Sequence, residues 1–320
     1  MTQECSVIDG IHDCLPYWYY PVRFKGYNLS YPKEAPPHRC KYMHRYRYLA
    51  TMDSKQTEAL LKTAIDAAIQ ASHVLLDHLE KNNDALVIRA KHDGSPVSSA
   101  DLASHQIIEE FLSETGIPRI SEEGVLPPFA ERQNWPLFWL IDPLDGTESY
   151  LRNRSGFAVN IALCDSNGPF LGLVADPLAN LMIYGAIGLG TYRRTLDANS
   201  IGEAIFSKPL TKPYRLVTSW NEPLSLDDLL PEHLSAEDFR SDPVSGAMKF
   251  CQVALGEADV HARSGPYMEW DCAAGDAILR STGLVVRGRN SNAPLQYNTM
   301  NLRVEGLWVS RIPRENSNQR

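Results

Sequence analysis

Two aspartates stand three residues apart where an apolar run ends near the middle of the chain. The run leads into the motif Leu140-Ile141-Asp142-Pro143-Leu144-Asp145-Gly146-Thr147. Pro143 stiffens the bend between the acids, so the carboxylates of Asp142 and Asp145 and the carbonyl of Leu144 can point at one place. Such hard oxygen ligands are those that Mg²⁺ prefers. The motif therefore predicts a divalent-metal site, but it fits an ordinary turn equally well, because Asp, Pro and Gly are common turn residues.

The end of the same motif could hold a phosphate group. Gly146 and Thr147 open the next predicted helix. Backbone N–H groups at a helix N-terminus attract anions, so a phosphate could lie beside the metal. The motif thus combines candidate ligands for a metal and for a phosphate.

Four further acidic residues, in three segments, are ambiguous when each segment is taken alone. Glu122 and Glu123 end a short apolar run, but adjacent glutamates are usually a solvated surface pair. Asp271 has the position of an N-cap for the helix that follows, and Asp101 lies at capping-box spacing from Ser98. A capping carboxylate still has an oxygen free to face a site, so capping is compatible with a second role.

The order of these residues along the chain resembles the lithium-sensitive, magnesium-dependent phosphatase superfamily. This superfamily includes inositol monophosphatases, fructose bisphosphatases and 3′(2′),5′-bisphosphate nucleotidases. Its signature is an early Asp, then EE, then DPxDGT, then WD followed after eleven residues by a glycine pair. The matching residues here are Asp101, Glu122-Glu123, Asp142 to Thr147, Trp270-Asp271 and Gly283. The resemblance covers about residues 55–311 and implies an α+β fold, a layered αβαβα sandwich.

Within the superfamily, the motifs are similar to the bisphosphate nucleotidase branch of the CysQ type. The similarity lies in DGSPVSSAD, SEEG, DPLDGTESYLRNRSGFAVNIAL, MKFCQVALGEADVHARSGPYMEWDCAAG and Pro294-Leu295-Gln296-Tyr297. The chain also departs from this branch. Glu148 replaces a Lys, Ser245-Gly246-Ala247 replaces GSS, Thr218-Ser219-Trp220-Asn221 replaces an SRSH-type segment, and Leu284 replaces the second glycine of the pair. None of these departures touches an expected metal ligand.

The resemblance implies roles for the site residues and two to three Mg²⁺ ions as the cofactor. One ion would be bound by Glu122, Asp142 and the Leu144 carbonyl, and a second by Asp142, Asp145 and Asp271. Glu122 would also lie next to a third, weaker ion. Asp101 and the Thr147 hydroxyl would orient and deprotonate the attacking water. The expected substrate contacts are Glu122, Leu144, Asp145, Gly146, Thr147, Lys249 and Asp271.

Two basic residues allow two interpretations of their role. Lys249 and Arg263 could bind a second phosphate or stack on a base, and they could equally be solvated charges of a helix and a strand. The resemblance implies removal of the 3′-phosphate from adenosine 3′,5′-bisphosphate, giving AMP and phosphate. An inositol or sugar monophosphatase on the same site is the alternative, favoured by Glu148 and by the lost serine. A third hypothesis is an inactive homologue that acts as a binding protein.

Composition narrows the class of protein and its partners. The chain has 320 residues, 43% of them hydrophobic and 22% charged, and no apolar run approaches the roughly 20 residues of a bilayer span. A globular protein without a transmembrane segment is expected. The net charge of −8 argues against polymeric nucleic acid and leaves a small phosphorylated substrate as the expected partner. The oligomeric state stays open.

The cysteines and the N-terminus indicate the compartment. Six cysteines are scattered along the chain without a CxxC pair, as expected in a reducing compartment. The first residues lack the basic start and apolar stretch of a secretory signal. We therefore expect a cytoplasmic protein.

Hydrophobic periodicity and turn residues predict the elements that position the site. Helices are expected from Asp53, with Gln56 at capping-box spacing, and from Asp101 to Ser113. Four strand-like runs predict an antiparallel meander: Leu137–Ile141, Phe157–Leu163, Phe170–Ala175 and Met182–Ile187. The second half alternates strands near 215–218, 259–262 and 307–310 with helices near 246–255 and 272–282, and residues 222–242 read as a long surface loop.

Three regions follow from this pattern. Residues 1–51 are expected to be a disordered or dispensable extension or a misassigned start, and a partner-binding arm is the alternative. Residues 52–195 form the expected N-terminal α+β domain with the metal site. Residues 196–320 form a smaller α/β domain that contributes Asp271.

Overall fold

This computed structural model describes residues 52–81, 89–90, 96–153, 156–231 and 233–313. The expected extension, residues 1–51, lies outside them, as does the beginning of the DGSPVSSAD motif.

Two amphipathic helices with reciprocal caps cover one side of the molecule. Helix α1 spans Ser54–Lys81 and α2 spans Ser99–Ser113. Before α1, the Gln56 amide donates to Asp53 Oδ1 at 2.8 Å and the Asp53 amide donates to Gln56 Oε1 at 3.1 Å. The predicted helices and both capping boxes are therefore confirmed. Among the described helices, α1 alone is long and apolar enough to cross a membrane, and its apolar face is buried in the core.

A seven-stranded sheet forms the centre of the fold. A short ribbon precedes it, β1 Arg89–Ala90 with β2 Pro96–Val97. The sheet contains, in spatial order, β3 Arg119–Ser121, β4 Leu137–Asp145, β5 Ala158–Asp165, β6 Gly168–Asp176, β7 Leu181–Ala186, β8 Gly190–Arg194 and β9 Glu203–Ala204. Strand β3 is parallel to β4, and every later neighbour is antiparallel. The predicted meander is confirmed.

A second, five-stranded sheet is built from the remainder of the chain. Its order is β11 Phe239–Pro243, β10 Tyr214–Thr218, β12 Val260–Arg263, β16 Leu307–Ser310 and β14 Arg287–Gly288. Strands β13 Tyr267–Met268 and β15 Arg303–Val304 form a separate antiparallel pair. The short helices are α3 Phe129–Arg132, α4 Thr147–Asn153, α5 Leu226–Leu229 and a 3₁₀ turn at Ala236–Asp238, and the longer ones are α6 Met248–Ala254 and α7 Glu269–Ser281.

The expectation of a loop over residues 222–242 is wrong in part. This segment contains α5, the 3₁₀ turn and the edge strand β11, which pairs in parallel with β10. No residue of β11 is fully buried, so no apolar run marks it in the sequence. Pairing with β10 supplies the hydrogen bonds that make it a strand.

The elements stack in five layers. In β4, Trp139 and Ile141 are buried against α1 and α2, whereas Phe138 and Leu140 are buried against α6 and α7, because alternate side chains of a strand point to opposite faces. The second sheet lies on the far side of α6 and α7, and α5 packs on its outer face. This order confirms the αβαβα sandwich.

Helix α7 joins the two halves. It packs closely on the first sheet at Gly172, where a Cβ atom would lie 2.7 Å from the Ala274 carbonyl oxygen. The first sheet also extends to β9 at residues 203–204, past the expected boundary at residue 195. That division stays a prediction.

Stability should fall in mild acid because of a buried histidine. His261 is fully buried, its Nδ1 bonds to the Val217 carbonyl at 2.9 Å, and its ring packs edge-on against Phe250. Burial lowers the pKa of His261 to about 3, so between pH 6.5 and 3 the unfolded chain binds the extra proton. This histidine should therefore reduce the free energy of unfolding by roughly 3 kcal/mol between pH 7 and 4.

The measurement is urea denaturation at pH 7 and pH 4. His261→Asn keeps an N–H donor for Val217 but cannot titrate, so its stability should fall less on acidification than that of the wild type. Equal losses in the two proteins would contradict the assignment.

Candidate active site

A bulge at the end of β4 shapes the site. Asp142 pairs with Asn160 and Asp145 with Ala158, so two residues of β4 face one residue of β5 between these pairs. The Leu144 amide donates to Asp142 Oδ1 at 3.0 Å, which fixes that carboxylate inside the bulge. At Gly146 the chain turns with φ +87°, and a Cβ there would meet the Gly156 carbonyl at 2.9 Å.

Three carboxylates converge beside this bulge. Glu122, Asp142 and Asp271 each offer an oxygen within 4.8 Å of the others. Glu122 follows β3, which is parallel to β4, so the carboxyl ends of both strands lie at one edge, and the Glu122 amide donates to the Ile141 carbonyl at 3.1 Å. Asp271 arrives on the first turn of α7. We call these three residues the acidic cluster.

Burial and mutual repulsion raise the pKa values of Asp142 and Asp271. Burial is the largest cause for Asp142, whose pKa is raised well above its ordinary value, followed by the charges of Glu122, Asp145 and Asp271. The pKa of Asp271 is raised well above its ordinary value by burial and then by Asp145 and Glu122. A bound divalent cation would relieve both effects, and its preferred ligands are oxygens of this kind.

Asp271 is not an N-cap, contrary to the prediction. Helix α7 begins at Glu269. Met268, the preceding residue, is still extended because it pairs with Arg303 in the β13–β15 ribbon. One Asp271 oxygen accepts a hydrogen bond from the Met268 amide at 2.8 Å. The carboxylate therefore steadies the helix start from inside the first turn.

Asp101 and Thr147 form a second pair at the same edge. Asp101 is 1% exposed, and its Oδ2 accepts hydrogen bonds from the Ser98 amide and hydroxyl at 2.8 and 2.6 Å. Its Oδ1 accepts a hydrogen bond from the Thr147 hydroxyl at 2.8 Å, and that hydroxyl also lies 3.3 Å from the Leu144 carbonyl. Capping thus occupies one oxygen of Asp101 and leaves the other on the site.

Asp145 lies beside the acidic cluster and faces the second half of the molecule. Its Oδ2 accepts hydrogen bonds from the Ala247 amide at 2.5 Å and from Asn160 Nδ2 at 3.2 Å. Gly246, with φ +60°, lets the backbone approach, since a Cβ there would lie 2.9 Å from Asp145 Oδ2. Burial raises the pKa of Asp145, and Lys249 opposes the shift.

Lys249 is buried, so the interpretation of this residue as a solvated charge on a helix is wrong. The side chain is 2% exposed, and its ammonium donates to the carbonyls of Gly246 and Val244 at 2.7 and 3.2 Å. Burial lowers the pKa of Lys249 to about 8, against the opposing charge of Asp145. A buried cation therefore lies directly behind Asp145.

A pocket of about 500 Å³ opens next to Asp145 and Lys249. Its wall includes Arg263, whose guanidinium lies 4.8 Å from the centre of the Tyr267 ring. Trp220 lines the same pocket. Tyr267 and Trp220 are site residues that were not predicted from the sequence, although Tyr267 lies in a segment that resembles a known motif and Trp220 in one that departs from another.

Sequence comparison finds known proteins that are similar to this chain. A sequence model of the inositol monophosphatase family matches residues 56–315. The 3′(2′),5′-bisphosphate nucleotidase CysQ of Salmonella typhimurium is 35% identical over 196 residues, which cover 60% of this chain and 76% of that protein. The CysQ of Haemophilus influenzae is 31% identical over 249 residues, covering 75% of this chain and 88% of that one.

Solved structures show the same fold. CysQ from Bacteroides thetaiotaomicron, a bacterial member of the inositol monophosphatase family, superposes with a TM-score of 0.68 at 30% identity and covers 79% of this chain and 97% of that one. An inositol monophosphatase from Anabaena has a TM-score of 0.58 at 25% identity and covers 79% and 91% of the two chains.

Replacing Asp142 should stabilise the metal-free protein. Asp142→Asn removes a buried charge from the acidic cluster and keeps an oxygen for the Leu144 amide. Because the raised pKa makes ionised Asp142 most unfavourable at high pH, the gain should be larger at pH 8 than at pH 5. We expect a gain at pH 8 that exceeds the roughly 0.5 kcal/mol effect of an ordinary surface substitution.

Urea denaturation in EDTA at both pH values measures the effect. Glu114→Gln, which removes an exposed charge after α2, is the matched control and should change stability by less than about 0.5 kcal/mol. If Asp142→Asn matches the wild type at both pH values, the repulsion is absent.

Proposed function

The chain belongs to the inositol monophosphatase family, and from that premise we propose that it removes the 3′-phosphate of adenosine 3′,5′-bisphosphate, giving AMP and inorganic phosphate. Its family model and its CysQ relatives identify the chain as a phosphatase. The observation that carries the choice of substrate is the buried Lys249 in a pocket that opens beside the acidic site. A monophosphate needs one phosphate site, whereas a bisphosphate needs a second.

The pocket has donors suited to that second phosphate. Among the described residues, the Lys249 ammonium donates to two carbonyls, which leaves one of its three N–H groups for a ligand. The buried Nε of Arg263 has no hydrogen-bond partner among the residues that the structure describes. A phosphate dianion would bond to both groups, and its charge would favour the protonated form of Lys249.

The acidic cluster fits Mg²⁺, and we propose two to three ions. Glu122, Asp142 and Asp271 would hold them, together with Asp145 and the Leu144 carbonyl. Mg²⁺ bound there would neutralise the phosphoryl oxygens and lower the pKa of the attacking water. The fit rests on oxygen donors within 4.8 Å of one another and on raised pKa values that a cation would relieve.

Thr147 and Asp101 would move the proton of the attacking water. The Thr147 hydroxyl already donates to Asp101 Oδ1, so its oxygen lone pairs can accept a proton from water while its own proton passes to Asp101. The Ser98 amide and hydroxyl hold the other Asp101 oxygen and keep the carboxylate oriented. The N–H groups of Gly146 and Thr147 remain proposed contacts of the scissile phosphate.

An inositol or sugar monophosphatase is the second candidate because Glu148 lines the pocket. A carboxylate near a second phosphate would repel it. The charge of Glu148 is offset by Arg152, whose guanidinium lies 2.9 Å from it, and this pairing favours the bisphosphate.

We also propose a cytoplasmic location. Cys164, Cys251 and Cys272 are buried with free thiols, and burial raises the pKa of each. Unpaired thiols are typical of a reducing compartment.

Phosphate release from a panel of substrates tests the function. With millimolar Mg²⁺, adenosine 3′,5′-bisphosphate should be hydrolysed faster than adenosine 3′-phosphate and myo-inositol 1-phosphate, and Asp142→Asn should retain at most a few per cent of the activity. Faster hydrolysis of the inositol phosphate would favour the second candidate. No release from any substrate would favour a binding protein.

Lys249→Ala should reduce the preference for the bisphosphate. A charge-assisted hydrogen bond contributes roughly 1.5–3 kcal/mol, so kcat/KM for adenosine 3′,5′-bisphosphate should fall about 10- to 150-fold more than for adenosine 3′-phosphate. The two substrates differ only in the 5′-phosphate, and any change in the backbone around Val244 and Gly246 affects both. Equal losses would mean that Lys249 has only a structural role.

A further inference from the structure

We propose that Trp220 is the platform on which the base of the nucleotide stacks, an inference that rests on the proposed function and deepens it. Trp220 would then determine specificity for a nucleotide over a sugar phosphate. It stands in the Thr218-Ser219-Trp220-Asn221 segment, where the chain departs from the SRSH-type sequence of similar enzymes.

Trp220 is exposed at the mouth of the pocket that holds the buried cation. Its side chain is 73% exposed, and it lines the pocket together with Asp145, Lys249 and Arg263. One exposed aromatic residue is common on a protein surface. One that shares a pocket with groups suited to phosphate is in a position to contact the rest of the same ligand.

The topology explains why Trp220 lies there. It follows β10, and the Val244–Gly246 loop follows β11, which is parallel to β10. The carboxyl ends of both strands therefore lie at one edge, and the Val244 amide donates to the Thr218 carbonyl at 2.8 Å. Trp220 thus emerges beside the loop whose carbonyls hold Lys249.

The turn that carries Trp220 is held in place on both sides. The Glu222 amide donates to the Ser219 carbonyl at 3.2 Å, and the Glu222 carboxylate accepts hydrogen bonds from the Ser264 amide and hydroxyl at 3.0 and 2.6 Å. Asn221 Oδ1 accepts a hydrogen bond from Arg263 at 3.2 Å. The backbone is therefore fixed relative to Arg263, so stacking on a ligand would require ordering of the indole side chain but not of the turn.

The pocket combines anion-binding and planar groups. Arg263 stacks on Tyr267, and the Tyr267 hydroxyl lies 3.4 Å from Ser219 Oγ. In adenosine 3′,5′-bisphosphate, one ribose carries the base and both phosphates, so a phosphate at Lys249 leaves the base within the same pocket. An inositol or sugar phosphate has no planar face to place on an indole. The arrangement therefore favours a purine nucleotide.

Kinetics of three variants test the platform. Aromatic stacking on a base corresponds to a loss of about 5- to 150-fold on replacement by alanine. Trp220→Ala should therefore lower kcat/KM for adenosine 3′,5′-bisphosphate by that factor, mainly through KM, relative to its effect on the base-free fructose 1,6-bisphosphate. Trp220→Phe, which keeps an aromatic ring, should retain most of the wild-type kcat/KM for the bisphosphate. Phe206→Ala is the matched control, since Phe206 is 83% exposed and lies outside the pocket.

A binding measurement separates this inference from the proposed function. Adenosine 5′-phosphate should quench the tryptophan fluorescence of the wild type and should quench that of Trp220→Phe much less. If the wild type hydrolyses the bisphosphate but Trp220→Ala behaves like Phe206→Ala, the platform is wrong and the function stands. If quenching depends on Trp220 but no bisphosphate is hydrolysed, the platform stands and the function is wrong. If the bisphosphate is not hydrolysed and quenching does not depend on Trp220, both proposals are wrong.

Discussion

Electrostatic repulsion among three neighbouring carboxylates, of which Asp142 is almost completely buried, must be overcome by the packing of the surrounding fold. Glu122, Asp142 and Asp271 are held within 4.8 Å of one another, and burial together with neighbouring charge raises the pKa of two of them. Such a cluster opposes folding unless a cation occupies it. The hydrophobic layers on both faces of the first sheet must therefore supply the stability that keeps these acids together, and the acids in turn provide a strong site for a divalent ion.

The fold holds the cluster by bringing three chain segments to one edge with little freedom at each. Parallel pairing of β3 and β4 brings Glu122 beside Asp142, and the bulge turns Asp142 and Asp145 in different directions. Close packing of α7 at Gly172 fixes the helix whose first turn carries Asp271. Displacement of any one segment would separate the ligands, because each acid comes from a different element.

Asp145 lies between the acidic cluster and the neighbouring pocket. Its carboxylate is bonded to the Ala247 amide, and Lys249 is buried behind the same loop. An anion bound in the pocket would therefore contact the 244–247 loop, which also orients Asp145. Departures from the related sequences are concentrated around this pocket, at Glu148, Gly246 and Trp220. We therefore propose that the wall of this pocket, rather than the acidic cluster, determines which phosphate ester is bound.

Local features of the fold and the acidic motif could be predicted from the amino-acid sequence. Capping boxes at Asp53 and Ser98, the alternating strands of the meander and the acids of the DPLDGT motif depend on residues close together in the chain, so their spacing was sufficient to predict them. Only the tertiary structure decided the features that depend on distant contacts. Lys249 is buried because the carbonyls of its loop and the neighbouring Asp145, 104 positions earlier in the sequence, surround it. Strand β11 forms because β10 offers it hydrogen bonds, and α7 begins at Glu269 because β15 pairs with the residues before it. These contacts join segments that lie far apart in the sequence. No local pattern of residues marks such contacts, because they form only when the chain packs.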